Sequence, residues 1–123
     1  MEPRTAARDR LQHMQEAVAA IAAYTARGRA AFDLDPAIRD AILFQLVILG
    51  EAAKAARAML GAEAGLAARA EAWGIEWSPI ARMRDRVAHH YWSTDPEIVW
   101  ATATTAVPAL AAPLEAALRE LAV

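Results

Sequence analysis

The stretch from Ile38 to Leu60 limits the possible architecture more than any other part of the chain. Ile38, Ile42, Leu46, Leu49, Ala53, Ala56 and Leu60 recur at three- and four-residue steps, the spacing of one helical face. Leu43, Phe44, Val47 and Ile48 carry the apolar surface well beyond that face. A helix apolar over most of its circumference has to be covered on several sides. It belongs at the centre of a bundle, in contact with its own neighbours and with room for a second protomer. Asp35-Pro36 opens it, with a short polar N-cap and proline at the first helical position. Gly50 lets a neighbouring helix approach closely. Glu51 sets a charge inside the apolar stretch, either as an exposed or ion-paired carboxylate or as the partner of a functional arginine.

The flanking segments supply the neighbours. Leu11, Met14, Val18, Ile21 and Thr25 give a one-sided stripe, predicting a helix over 6–26 after a frayed start at Met1 to Thr5. His13 lies off that stripe and reads as a surface histidine, and Tyr24 reads as packing. Gly28 and a polar link to Asp35 end this helix. Gly61 and Gly65 break the central one, and a short helix over 66–73 is capped by Gly74. Trp73, Ile75 and Trp77 cluster there, either to seal the core or to stack on bases. After Asp95-Pro96, the residues Val99, Ala103, Ala106, Leu110, Leu114, Ala117 and Leu121 form a last stripe. Pro108 and Pro113 interrupt it, giving one kinked helix or two shorter ones. The expected fold is all-α: an up-and-down bundle of four main helices and one short one.

At 123 residues the chain fits one domain, 1–123. Its 57% apolar content is rich in alanine, which favours helix and leaves apolar surface for an oligomer interface. A net charge of −2 argues against a general nucleic-acid coat protein but allows a local basic site. Cysteine is absent, so disulfides and thiolate chemistry are excluded. Met1 leads into charged residues rather than an apolar run, so no secretion signal is expected. The apolar run Ala41 to Gly50 contains Gln45 and is too short to cross a membrane. These readings place the protein in the cytoplasm, away from membranes.

The chemistry concentrates in Arg82-Met83-Arg84-Asp85-Arg86-Val87-Ala88-His89-His90-Tyr91-Trp92. Ser78-Pro79 precedes it and predicts a helix over 79–92. Ile80, Met83, Val87 and Tyr91 make its core stripe, with Arg84 on the edge and Asp85 and His89 on the opposite side. Arginine and histidine are the phosphate clamp and the proton-transfer group that phosphodiester cleavage needs. No metal-ligand constellation, phosphate-cradling glycine loop or nucleophile elbow is present. No cofactor is expected. What remains is acid–base chemistry by His89 with charge stabilisation by Arg84. On one helix these two lie about 140° apart. They meet at one phosphate if the arginine bends round, if the helix loosens near His89, or if a second protomer brings its own motif alongside.

The spacing Arg84-x-x-x-x-His89-x-Tyr91 resembles that of the HepT-like toxins of the HEPN superfamily. Trp77-Ser78-Pro79-Ile80 upstream, Asp95 downstream and Leu49-Gly50-Glu51-Ala52-Ala53 in the central helix agree with the resemblance, which runs from about Asp9 to Leu121. It implies a HEPN-like homodimer with the motif at the interface. It also implies a metal-independent endoribonuclease that leaves 2′,3′-cyclic phosphate ends, with Arg84 and His89 as catalytic residues. A minimal nucleotidyltransferase would act as antitoxin by transferring AMP to Tyr91. Arg86 and His90 are supporting residues in this reading, His90 either assisting His89 or facing solvent.

The chain departs from the family at Asp85, where many relatives carry asparagine. Its charge either orients His89 and raises its pKa, or pairs with Arg82 or Arg86 and weakens RNA binding. The competing function is a non-catalytic dimeric adaptor, or nucleotide-binding subunit, of a nucleotidyltransferase complex.

Overall fold

The central helix is the one that most of the chain packs around, while the last helical run lies along the first helix. The computed structural model describes residues 2–122, with Ala64 and Trp92 described by their backbone alone. Helix α1 (Pro3–Thr25) starts at a proline whose missing N–H has no intrahelical partner to lose, so the segment expected to fray is helical from Pro3 onward. Met1 lies outside the described residues. Leu11, Met14, Val18 and Ile21 are buried, as their spacing predicts, and α1 makes its main contact with the central helix.

The link after Gly28 is not simply polar. It forms a short helix, α2 (Arg29–Leu34), whose Phe32 is fully buried. Arg29 and Arg39 each stand 5.7 Å from the centre of that ring, and the Trp100 ring is centred 5.2 Å away. Arg29 also pairs with Asp33 and with Glu97, which fastens α2 to the last helical segment.

The central helix is α3 (Pro36–Gly61), opened as expected by Asp35, whose Oδ1 accepts the Ala37 N–H at 3.0 Å. Losing that cap in Asp35→Ala removes about 1 kcal/mol of stability, measurable as a lower urea midpoint at constant slope. All seven residues of the predicted stripe are buried. Leu43, Val47 and Ile48 are half-buried, while Phe44 stands exposed.

Helix α4 (Ala64–Glu71) lies two residues earlier than its pattern suggests, and Gly74 turns the chain with a φ of 77°. Trp73 and Ile75 seal the core at this corner. The Trp73 indole donates to Glu120, which also pairs with Arg69. Both bonds favour the ionised form and hold the Glu120 carboxyl below its usual range. Trp73 is therefore a core residue and has no face for a base.

Helix α5 (Trp77–His90) also begins two residues early, from Glu76, so Ser78 and Pro79 sit inside its first turn. Proline fits there because amides of the first turn have no intrahelical acceptor. Val87 is buried and Ile80 and Met83 pack against the core. Tyr91 does not join them. The α-helix ends at His90 (φ −138°, ψ 34°), a 3₁₀ turn follows over Tyr91–Ser93, and Tyr91 is 65% exposed.

The last rod is one helical run, Pro96–Leu121, with an irregular middle. It comprises α6 (Pro96–Ala101), a wide π turn over Thr102–Ala106, a tight turn over Pro108–Leu110, and α7 (Ala111–Leu121). The wide turn is closed by the Val107 N–H bonding the Thr102 carbonyl at 2.9 Å. It adds one residue to the turn, so Val107 takes the buried place predicted for Ala106, which is exposed. The disturbance expected at Pro108 is thus spread over two turns, and Pro113 sits harmlessly in the first turn of α7. By length and composition this 26-residue run is apolar enough to cross a membrane, as the shorter run Ala41 to Gly50 is not. Its Val99, Val107, Leu110, Leu114 and Leu121 are nevertheless buried in the bundle. The fold is all-α and HEPN-like, and no polar or charged side chain among the described residues is buried in its core.

Candidate active site

The site begins where α3 and α5 touch. A Cβ placed on Gly50 would lie 2.1 Å from Arg84 Cβ and 2.5 Å from its Cγ. Carbon atoms need about 3.5 Å, so only glycine lets the two helices meet at this height. The contact puts Glu51, the next residue of α3, beside the Arg84 guanidinium.

Both terminal nitrogens of Arg84 face carboxylates. Nη1 donates to Asp85 Oδ1 at 3.0 Å, and Nη2 forms an ion pair with Glu51. Nε is buried without a hydrogen-bond partner. Asp85 foremost, with Glu51 adding to it, raises the guanidinium pKa against the opposing effect of desolvation. Arg84 is a fixed cation at the rim of the core, its side chain 28% exposed. Glu51 is a half-exposed, ion-paired carboxylate, and its partner is Arg84. Asp85 pairs with neither Arg82 nor Arg86; its carboxylate turns to Arg84 instead.

His89 is exposed on the far side of α5, as are Arg82, Arg86 and His90. No hydrogen bond or ion pair joins Arg84 to His89, because Arg84 is turned toward α3 while His89 points outward. A single chain thus presents the two groups on different sides of one helix. Asp95 caps α6, with its Oδ1 accepting the Glu97 N–H at 2.9 Å.

Two features escaped sequence reasoning. Gly50 was legible as a close-approach position, but its match to Arg84 depends on which helix lies across from it. Glu51 also borders an open groove of about 740 Å³ between α1 and α3, together with Arg10, His13, Glu16 and Gln45. His13 is exposed as expected, yet it stands in a charged groove that reaches Glu51. Spacing along α1 carries no signal for that, because the groove exists only once α1 and α3 are paired. Among the described residues no three His, Asp or Glu side chains gather so as to hold a metal ion.

No curated protein and no solved structure matches this chain. A family model described as ribonuclease HepT-like does match it, over residues 14–117. The match runs from the middle of α1 well into α7 and takes in Gly50, Glu51, Arg84, His89 and Tyr91. The chain belongs to the ribonuclease HepT-like family.

Proposed function

We propose that this protein is the toxin subunit of a type II toxin–antitoxin pair. It acts in the cytoplasm as a metal-independent endoribonuclease and is silenced when a nucleotidyltransferase antitoxin attaches AMP to Tyr91. The observation that carries the reading is Arg84, a fixed cation seated against Gly50 and Glu51, five residues before an exposed histidine.

The chemistry suits RNA. A base removes the proton of the 2′-hydroxyl, whose oxygen attacks the adjacent phosphorus, and an acid protonates the departing 5′-oxygen. Arg84 holds the phosphate and offsets its growing charge. The ends left are a 2′,3′-cyclic phosphate and a 5′-hydroxyl. DNA lacks the internal nucleophile and survives.

His89 supplies the proton transfers. Because one chain aims Arg84 and His89 apart, a two-fold dimer is part of the proposal. A second copy brings another arginine to each histidine and lets one histidine act as base and the other as acid. Tyr91, exposed on the turn after α5, suits modification. A bulky anionic nucleotide there blocks the approach of RNA and repels its phosphates.

The test is RNA cleavage by the purified protein in chelator, with product ends identified and the intact mass recorded. Cleavage with cyclic phosphate ends, absent on DNA, supports the ribonuclease. No cleavage by a protein of unmodified mass favours the dimeric adaptor. A mass increased by AMP identifies a silenced toxin.

A further inference from the structure

We propose that Asp85 occupies, on the Arg84 guanidinium, the place that a substrate phosphate takes, so that RNA loads onto Arg84 only by displacing this carboxylate. The inference rests on the reading of Arg84 as the phosphate ligand. It adds a built-in competitor to that site.

The geometry separates the two carboxylates. Glu51 comes from α3 and is fixed by the Gly50–Arg84 contact beside it, so its pairing with Nη2 is set by how two helices pack. Asp85 follows Arg84 on α5, its side chain 65% exposed, and it meets Nη1 through one hydrogen bond of 3.0 Å. Asp85 is the more exposed of the two, and moving it takes only a side-chain rotation into solvent. Nε is buried and faces no acceptor. That leaves Nη1 as the nitrogen that an incoming phosphate takes, by replacing the more exposed carboxylate, Asp85. Arg84, Glu51 and Asp85 together carry a charge of −1. The resting site thus repels an anion until Asp85 leaves. An exposed pair of this kind is weak, so the effect is a tuning of affinity rather than a block.

The experiment is a double-mutant cycle read by binding rather than cleavage. Wild type, Asp85→Asn, Arg84→Ala and the double variant are titrated against a fluorescent 2′-O-methyl RNA oligonucleotide, which has no free 2′-hydroxyl and cannot be cut. Asp85→Asn is expected to tighten binding about two- to fivefold. It should also steepen the dependence of log Kd on log salt by up to about 0.7, one more phosphate neutralised on a single strand. In the Arg84→Ala background that gain should vanish, because the competitor has nothing left to compete for. A gain of equal size in both backgrounds means that Asp85 acts only as a surface charge, and it overturns the proposal, as does no gain in either. Asp85 lies on the surface of α5 and Arg84 at the rim of the core, so circular dichroism melts of all four proteins check that each is folded.

The cleavage assay stays separate. A coupled cycle in a protein that cuts no RNA leaves Asp85 a competitor and removes the ribonuclease. A cutting protein with an uncoupled cycle does the reverse.

Discussion

Replacing His89 with alanine is expected to lower RNA cleavage by about 10²–10⁴-fold, the usual share of a general acid–base group. The loss should fall on kcat. His89 is exposed and off the core face of α5, so unfolding should move by less than about 0.5 kcal/mol. Measuring single-turnover cleavage beside a thermal melt separates the two effects. Wild-type rates in the variant end the assignment of His89. Lost cleavage together with a lost melt points to a folding defect, and Arg84→Ala then becomes the test of the site.

The second large effect belongs to a residue with no side chain. Gly50→Ala adds one methyl group, and in an open helix that change stabilises by up to about 1 kcal/mol. Here the sign reverses. The new Cβ would fall 2.1 Å from Arg84 Cβ and 3.4 Å from its Cα, so the obstacle is the root of the side chain and cannot swing aside. Helices α3 and α5 must separate, and overpacking of this sort costs about 1–3 kcal/mol. The same separation draws Glu51 away from Arg84 and lowers cleavage as well. Calorimetry and the cleavage assay read both consequences. Arg84→Ala does not relieve the clash, because it keeps Cβ. A Gly50→Ala protein as stable as wild type shows that the helices do not meet as described.

Much of the fold was legible because periodic burial dominates it. The stripes of α1 and α3 read correctly except at Thr25, the last residue of α1, which is not buried, since both helices are long and regular. Helix α2 was missed because six residues are too few to show a period, and Phe32, between alanines and an aspartate, joins no stripe. Two of the errors share a cause: a constant advance of 100° per residue was carried through places where the backbone departs from it. Past His90 that extrapolation put Tyr91 in the core, and past Thr102 it chose Ala106 over Val107.

The site divided along a different line. Arg84, His89 and Tyr91 stand in one stretch of sequence, and family resemblance could point to them. The partnership of Gly50 and Glu51 with Arg84 spans more than thirty residues and became specific only in three dimensions. Asp85 shows the limit most plainly. Its candidate partners were Arg82 and Arg86, whereas the arginine it meets is Arg84, which the contact with Gly50 holds in place.

The wide turn at Thr102–Ala106 makes the last rod a two-part adaptor. Upstream of it, Glu97 and Trp100 answer to α2; downstream, α7 lies along α1. Because the extra residue shifts the helical phase between these halves, each meets its own neighbour in its own register. The halves are therefore free to vary separately: residues that dock α2 can change without rotating the face that docks α1. Deleting one residue from the turn would remove that phase shift and set the two halves in conflict.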